Sequence, residues 1–302
     1  MFTNRKISLN LLARGSKIID VVRDCDLAYI GKIPTRLDHR VVPCSKPSHI
    51  EEAVATQGIV GIVTSQENAK YVPQSLGLAI ADDPGTAALL LHETLNAIDC
   101  FLWEDFDTDI DASVSIHPSA SIAPRNVRIG SNTIIGPGCV IKERSIIGPD
   151  CNIGVDVVIG VDALDVLQKS SPRRVLRQAG GVKLERGVSV LCKTSITRAT
   201  FGGFTHIGED TILDSLIYIA HDCRIGKRVT MVAGVCVSGR CDIGDDVYIG
   251  PNATLRNGIS LGERAKISMG AVVTQNVKAK QTVTGNFAIE HNKWLAFLRN
   301  IR

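Results

Sequence analysis

The stretch of residues 207–273 decides the fold, because an aliphatic side chain recurs in it at every sixth position. It reads "IGEDTILDSLIYIAHDCRIGKRVTMVAGVCVSGRCDIGDDVYIGPNATLRNGISLGERAKISMGAVV". A helix cannot keep such a stripe on one face, since six steps of about 100° carry the position to the opposite side. One long strand is excluded too, because Gly, Asn and Asp recur between the aliphatic residues. Short strands joined by tight corners satisfy both constraints. Twelve positions share the spacing: Ile207, Leu213, Ile219, Ile225, Met231, Val237, Ile243, Ile249, Leu255, Leu261, Ile267 and Val273.

The repeat predicts a mainly β protein in which three hexapeptides form one triangular coil and the coils stack into a parallel β-helix. This is the hexapeptide-repeat solenoid, which is left-handed in the known family. A second run with the same spacing extends from Ile129 to Ile159. The residue four positions after each aliphatic one should also point inward. Four cysteines occupy that position, so we expect reduced, buried thiols that fill space, with disulfides or zinc as the alternatives. They are Cys139, Cys151, Cys223 and Cys241.

The repeat also indicates the domain organisation. It is interrupted at 161–180, where "VDALDVLQKSSPRRVLRQAG" contains a proline and a basic cluster, so we expect this segment to leave the prism as a loop. Residues 1–100 have no repeat and read as alternating short strands and helices, which predicts a small α/β domain. We therefore expect an α/β domain at 1–100, a left-handed β-helix at 113–282 with its excursion at 161–180, and a C-terminal tail at 283–302.

Composition narrows the function classes. The chain has 302 residues, 44% of them apolar, and a net charge of +3, which is too small to indicate nucleic-acid binding. It shows neither the apolar run of a signal peptide nor a stretch long enough for a membrane span, so we expect a cytoplasmic protein. The nine cysteines include no CxxC pair and no metal-ligand spacing, and no metal site is predicted.

His221, within "SLIYIAHDCRIGKRV" (215–229), is the main candidate for chemistry. It follows a repeat isoleucine by two residues, so its side chain should face outward at a corner. Counting 18 residues back and forward reaches Gly203 and Gly239, which should leave space on both sides of the ring. Asp222 is adjacent, and Asp214 precedes it on the same coil. An imidazole is the usual base near neutral pH, although an outward histidine on a solenoid is often merely solvated.

Nearly the whole chain resembles the UDP-3-O-acylglucosamine N-acyltransferases of lipid A synthesis. "ILDSLIYIAHDCRIG" (212–226) is similar to that family's catalytic coil, and "RQAGGVKLERGV" (177–188) to its return from the loop. "GNFAIEHNKWLAFLRNI" (285–301) is similar to a later segment. The resemblance implies His221 as general base and Asp214 as a second polar residue of the site. We expect Asp222 beside it to contact the substrate.

The second half also resembles the acetyl-CoA-dependent N-acetyltransferases of nucleotide amino sugars, through residues 221–277 and "TVTGN" (282–286). That resemblance implies the same base. It also implies that Gly239 lies beside the coenzyme and that Gly270 and Ala271 line its pantetheine. Two cations near the end of the prism, Lys278 and Lys280, are placed to meet the coenzyme's phosphates, unless they are ordinary solvated turn residues.

The sequence also departs from the lipid A family. Ile259 stands where that family has a second histidine. Pro43, Lys46 and His49 stand where it has aromatic and amide residues around uracil, so we expect Lys46 and His49 to contact the sugar nucleotide instead. The chain stops eight residues after Trp294, before the helices that receive the acyl carrier protein in that family. These departures favour acetyl-CoA as donor over a long acyl chain on a carrier protein.

The sequence therefore predicts an N-acyltransferase that moves an acetyl group from acetyl-CoA to the amine of a nucleotide-linked amino sugar. Its setting would be the synthesis of bacterial surface polysaccharide or lipopolysaccharide, and we expect no permanently bound cofactor. The first alternative is the lipid A-type enzyme with a 3-hydroxyacyl carrier protein as donor. The second is a non-catalytic hexapeptide scaffold. Both resembled families are trimeric, so we expect a homotrimer with its sites between neighbouring prisms.

Overall fold

The computed structural model describes residues 1–3, 5–167, 174–285, 288 and 290–300. The protein is mainly β, with 31% strand and 14% helix. Three long parallel sheets form the faces of a triangular prism, and the chain visits the first, second and third face in turn. The predicted fold class, a left-handed parallel β-helix preceded by a small α/β region, is confirmed.

The strands of the first face are Asp109–Ile110, Val127–Ile129, Ser145–Ile147, Gly181–Leu184, Phe204–Ile207, Arg224–Ile225, Asp242–Ile243 and Ser260–Leu261. Those of the second face are Ser115–Ile116, Ile134–Ile135, Asn152–Ile153, Ser189–Val190, Ile212–Leu213, Thr230–Met231, Tyr248–Ile249, Lys266–Ile267 and Thr282–Val283. Those of the third face are Ser121–Ile122, Val140–Ile141, Val158–Val161, Ser195–Thr197, Tyr218–Ile219, Cys236–Val237, Thr254–Leu255 and Val272–Val273.

The repeat residues form the core of the prism. All twelve aliphatic positions of the long run are at most 7% exposed, and the four cysteines at the inward position are free thiols at most 1% exposed. Burial of each large aliphatic side chain contributes about 1.5–3 kcal/mol, so the stacked stripe is a main source of stability. The corners between faces need a left-handed backbone, which Asn and Asp tolerate better than most residues. Asn132, Asp150, Asp210, Asp222 and Asp246 accordingly have φ between 54° and 64°.

Two insertions interrupt the 18-residue coil, as the register of the third face shows. Ile159 pairs with Ile196, 37 residues later, because the chain leaves the prism after Val161 and returns at Gly181. The described part of this excursion includes the antiparallel strands Val166–Leu167 and Arg174–Val175, while its predicted basic cluster lies partly outside the described residues.

The second insertion was not predicted. Ile196 pairs with Ile219, 23 residues later instead of 18, so the coil before His221 is five residues longer than a regular coil, and the extra length lies at 198–203. Counting 18 residues back from His221 is therefore wrong here, and Gly203 does not lie beneath the histidine. It lies against Leu37 instead, where a Cβ on Gly203 would be 3.4 Å from that side chain.

The N-terminal part contains a five-stranded sheet in the order Asp20–Arg23, Gly77–Ile80, Ile59–Thr64, Arg40–Pro43 and Tyr29–Ile30. The first pair is antiparallel and the others are parallel. Ile7–Ser8 and Asp26–Leu27 form a separate antiparallel pair. The helices are α1 (Leu9–Leu12), α2 (Pro47–Ala55), α3 (Pro84–Asn96) and α4 (His291–Asn300), with a 3₁₀ turn at Ala69–Tyr71. Among the described residues, no helix is long and apolar enough to cross a membrane.

The N-terminal part packs on the prism beside the second insertion. Gly202 lies against the ring of Tyr29, and Ala179, at the end of the excursion, joins the hydrophobic cluster of the N-terminal sheet. An ion pair between Arg36 and Asp242 adds a polar contact with the first face. We keep the division into residues 1–100, 113–282 and 283–302 as a proposal for the domain organisation.

Candidate active site at the His221 corner

His221 lies at the corner that joins the third face to the first face, between Tyr218–Ile219 and Arg224–Ile225. Its side chain is only 10% exposed, although the sequence predicted an outward-facing histidine. The difference follows from its neighbours along the same edge. Thr200 of the second insertion covers one side of the ring, and Gly239 of the next coil lies against the other.

The ring is held through one nitrogen. His221 Nδ1 lies 2.7 Å from Asp222 Oδ2 and 3.0 Å from Thr200 Oγ1. The Thr200 hydroxyl and backbone N–H both donate to Asp222, at 2.9 and 3.0 Å. Because the hydroxyl donates to the carboxylate, we place the ring proton on Nδ1, where it is shared with Asp222. The assigned tautomer leaves Nε2 able to accept a proton.

Asp222 is suited to remain ionised in this position. Burial raises the pKa of its carboxyl, but the hydrogen bond and charge of His221, the charge of Arg240 and the Thr200 N–H outweigh that effect and lower the pKa below its ordinary value. Its oxygens are occupied by these contacts, so Asp222 holds the imidazole. The expectation that it contacts the substrate directly stays a prediction.

Gly239 leaves the second ring nitrogen accessible. A Cβ at this position would lie 2.6 Å from His221 Nε2 and 2.7 Å from Cε1, closer than real carbon contacts allow. Any side chain here would therefore displace the ring or cover Nε2. The backbone N–H of Gly239 has no hydrogen-bond partner among the described residues, whereas its carbonyl accepts from Gly258. The corner thus places a free N–H donor next to a candidate base.

Two cations, Arg240 and Lys32, interact electrostatically with the carboxylate. The Arg240 side chain is 16% exposed, and its Nε lies 3.9 Å from Asp222 Oδ2. Lys32 approaches from the loop that follows Tyr29–Ile30. Burial lowers the pKa of the Lys32 ammonium and the charge of Arg240 acts in the same direction, while Asp165 and Asp222 oppose both effects. The N-terminal sheet therefore brings a second positive charge close to the His221 corner.

The structure does not bring the other sequence-predicted residues to this corner within one chain. Asp214 lies on the edge between the second and third faces, where its carboxylate accepts from the N–H groups of Ser215 and Ala233. Gly270 and the buried Ala271 lie on that same edge. Their roles in binding remain predictions.

The other candidates for ligand binding are three lysines and one histidine, and they lie at two further places. Lys278 and Lys280 are exposed on the edge between the first and second faces, where Lys280 has the left-handed φ of a corner residue. Lys46 and His49 are exposed at the start of α2 in the N-terminal sheet region, with Lys46 as its N-cap. Among the residues that the structure describes, none of these four hydrogen-bonds or ion-pairs with the His221 side chain, whose contacts are Asp222 and Thr200. Their roles in ligand binding stay predictions.

Sequence reasoning missed Thr200, Arg240 and Lys32. A signal for Thr200 existed, because the interval between the successive repeat residues Ile196 and Ile207 is eleven instead of six, which marks five extra residues at this corner. The positions of Arg240 and Lys32 relative to Asp222 depend on how the second insertion and the N-terminal sheet pack against the prism. No short sequence motif carries that information.

Known proteins agree with this description of the fold. A family model described as "Hexapeptide repeat of succinyl-transferase" matches residues 144–162 and 240–275. Proteins named UDP-3-O-acylglucosamine N-acyltransferase are similar to part of the chain. The one from Caulobacter sp. (strain K31) is 34% identical over 120 residues, covering 40% of this chain and 35% of that protein. The one from Campylobacter lari is 34% identical over 123 residues, covering 40% and 38%.

Among solved structures, the UDP-N-acetylglucosamine acyltransferase of Francisella novicida aligns with a TM-score of 0.47 and 25% identity, covering 59% of this chain and 65% of that one. The chain spans about a third of the length of the curated relatives it matches. By its repeat and its three-faced prism, the chain has the left-handed β-helix fold built from hexapeptide repeats, and over about 40% of its length it is similar to UDP-3-O-acylglucosamine N-acyltransferases.

Proposed function

We propose that this protein transfers an acyl group from a thioester donor to the amine of a nucleotide-linked amino sugar. The observation that carries the proposal is the His221 corner, where Asp222 holds Nδ1 and Gly239 leaves Nε2 accessible. Relatives named as N-acyltransferases of a UDP-linked acylglucosamine supply the substrate class. A scaffold without activity would not need a glycine against the histidine ring.

The chemistry follows from the geometry. As the amine nitrogen of the sugar attacks the thioester carbonyl, His221 Nε2 takes the proton that the nitrogen loses. The carbonyl oxygen becomes an oxyanion, which the free Gly239 N–H is placed to stabilise, worth about 3 kcal/mol for one such donor. The C–S bond then breaks, and the imidazolium returns the proton to the departing thiolate. Asp222 stabilises the imidazolium throughout.

For the acceptor and donor, the relatives favour the lipid A-type reaction over the acetyl-CoA reaction that the sequence favoured. The first candidate is therefore a UDP-linked 3-O-acylglucosamine with a 3-hydroxyacyl carrier protein. Acetyl-CoA with another nucleotide amino sugar is a second candidate, supported by one observation. Ile259, which replaces the second histidine of the lipid A family, is 1% exposed in the prism core and supplies no polar group.

The test is a matrix of donors and acceptors with mass spectrometry of the products. Acetyl-CoA and 3-hydroxyacyl carrier protein are each incubated with UDP-3-O-acylglucosamine and with a panel of nucleotide amino sugars. We expect one pair to give a product heavier by the acyl group, attached through an amide. Product with the carrier protein alone selects the first candidate, and product with acetyl-CoA alone selects the second. No N-acylated product from any pair would contradict the proposal.

A further inference from the structure

A polar cavity of about 450 Å³ lies on the same prism edge as His221, between the excursion and the end of α3. Its size is within the range of small-molecule sites. Arg198, one of its lining residues, lies at the corner one coil before His221. The residues at the cavity wall are Asn96, Lys142, Glu143, Arg144, Val161, Asp162, Arg177, Gln178 and Arg198.

The charges on this wall do not balance. Four cations face two carboxylates, and both carboxylates are directed at the same cation. Arg198, with a side chain 7% exposed, has Glu143 at 3.7 Å and Asp162 at 3.4 Å, and it donates to the Gly160 carbonyl at 2.7 Å. Among the described residues, Lys142, Arg144 and Arg177 have no carboxylate partner. The wall therefore has an excess of two positive charges.

Arg144 indicates which kind of ligand the cavity can bind. Its Nη1 donates to the Ala179 carbonyl at 2.6 Å, and its guanidinium lies over the ring of Trp103 at 5.8 Å. Its Nε is buried and has no hydrogen-bond partner among the described residues. A buried guanidinium N–H without an acceptor is costly unless a ligand supplies one. Guanidinium groups match the oxygens of phosphate in charge and in geometry.

The cavity is also joined to the candidate active site. Gln178, on its wall, accepts from the Ala163 N–H at 2.9 Å and donates to Thr200 Oγ1 at 3.4 Å. Thr200 Oγ1 in turn lies 3.0 Å from His221 Nδ1. Arg198 of the cavity wall and His221 lie on successive coils, and successive coils are separated by the usual spacing of neighbouring strands, about 4.8 Å. A ligand bound in the cavity can therefore extend to His221.

We propose that this cavity binds a doubly charged phosphate group, through Lys142, Arg144 and Arg177. The source of the phosphate rests on the proposed function: either the diphosphate of the nucleotide-linked acceptor or the phosphates of the donor's coenzyme. Both sources share the same chemistry, so the site itself is tested by direct binding and not by turnover.

The experiment measures the affinity of UDP, coenzyme A and inorganic phosphate by calorimetry for three proteins. They are the wild type, the double variant Lys142→Gln/Arg177→Gln, and the control Lys17→Gln/Lys266→Gln, which removes the same charge at exposed positions away from the cavity. Both cavity positions are exposed side chains, so the variant should keep the wild-type melting temperature. Arg144 is left unchanged because its ring contact supports the fold.

We expect at least one of the three ligands to bind the wild type and the control alike, and the cavity variant at least tenfold more weakly, with affinity that falls as salt is added. A larger loss for UDP assigns the site to the acceptor, and a larger loss for coenzyme A assigns it to the donor. Equal affinity of the variant and the wild type for all three ligands, or no binding of any of them to the wild type, would overturn the proposal. Charge-dependent binding without acyl transfer from any donor would leave this site standing and the proposed function wrong.

Discussion

At the scale of single residues, the two nitrogens of the His221 ring have different surroundings. Nδ1 is tied to Asp222 and Thr200, and Nε2 faces a glycine. A carboxylate in this position fixes the tautomer and stabilises the imidazolium, which is the role of the aspartate in the catalytic triad of serine proteases. The division of tasks between the two nitrogens leads to a pH-dependent prediction.

Replacing Asp222 with Asn should lower turnover by about two to four orders of magnitude, the range typical of disturbing a general base. The acidic limb of the pH profile of kcat/KM should also move to lower pH, because the imidazolium loses an opposite charge 2.7 Å away. Steady-state rates from pH 5 to 9 measure both effects.

Asp214→Asn is the matched control for this change, since it makes the same substitution on a different prism edge. It should leave the position of the acidic limb unchanged. An acidic limb in Asp222→Asn that coincides with the wild type would show that Asp222 does not hold the base.

At the scale of elements, α3 packs against the second insertion through one buried histidine. His92 is 0% exposed, and its ring lies edge to face with Phe201 at a centroid distance of 5.0 Å. Burial lowers the pKa of His92 to about 4, although the Arg177 backbone and the charges of Asp165 and Asp222 oppose the shift. The imidazole is therefore neutral in the folded protein throughout the physiological pH range.

This contact predicts how stability depends on pH. The folded pKa of His92 lies below the unfolded value of about 6.5, so the unfolded chain takes up the proton first as the pH falls. The free energy of unfolding is unaffected by His92 above pH 6.5 and decreases between pH 6.5 and about 4, by at most about 3 kcal/mol. In His92→Leu this contribution to the pH dependence should disappear. Urea unfolding at pH 7, 5.5 and 4 should then show a smaller decrease in the free energy of unfolding than in the wild type.

His117→Leu, at an exposed position on the prism, is the control and should keep the wild-type dependence. An equal loss of stability on acidification in His92→Leu and the wild type would mean that His92 is not the buried neutral group described here.

The six-residue spacing of the aliphatic residues was sufficient to predict the prism and its inward residues, whereas the role of His221 as base stays a prediction. The prism and its inward residues depend on a local pattern that recurs, so a single chain displays it many times. The second insertion was missed because it shifts the register only once, between Ile196 and Ile219. Arg240 and Lys32 were missed because their proximity to Asp222 depends on packing between the prism and the N-terminal sheet. Tertiary contacts of that kind leave no periodic trace in a sequence.

At the scale of the whole molecule, the faces of the prism differ in polarity. Outward residues of the first face include the charged Asp109, Arg128, Lys183, Arg224 and Asp242, of which Asp242 pairs with Arg36 of the N-terminal part. Outward residues of the third face are largely apolar, and this face borders the prism edge on which His221 lies. They include Val140, Val158, Tyr218, Cys236 and Val272.

We therefore predict that the protein is a homotrimer whose chains meet along the third face, next to His221. Sedimentation equilibrium at micromolar concentration should give three times the 32.4 kDa mass of the chain. Tyr218→Asp should dissociate the assembly, because it places a charge in an apolar contact. Ser260→Asp, which adds the same charge to the exposed first face, should not. A monomer at all concentrations in the wild type would contradict this arrangement.

The proposed acyl transfer depends most directly on His221 as its base. The measurement is the turnover number of His221→Ala on the donor and acceptor pair that gives product with the wild type, alongside His206→Ala. His206 is a histidine of the same prism that contacts Glu185 on the first face, at 2.9 Å. We predict a turnover number about two to four orders of magnitude below wild type for His221→Ala at an unchanged melting temperature, and near-normal turnover for His206→Ala. Near-normal turnover in His221→Ala would show that His221 is not the base.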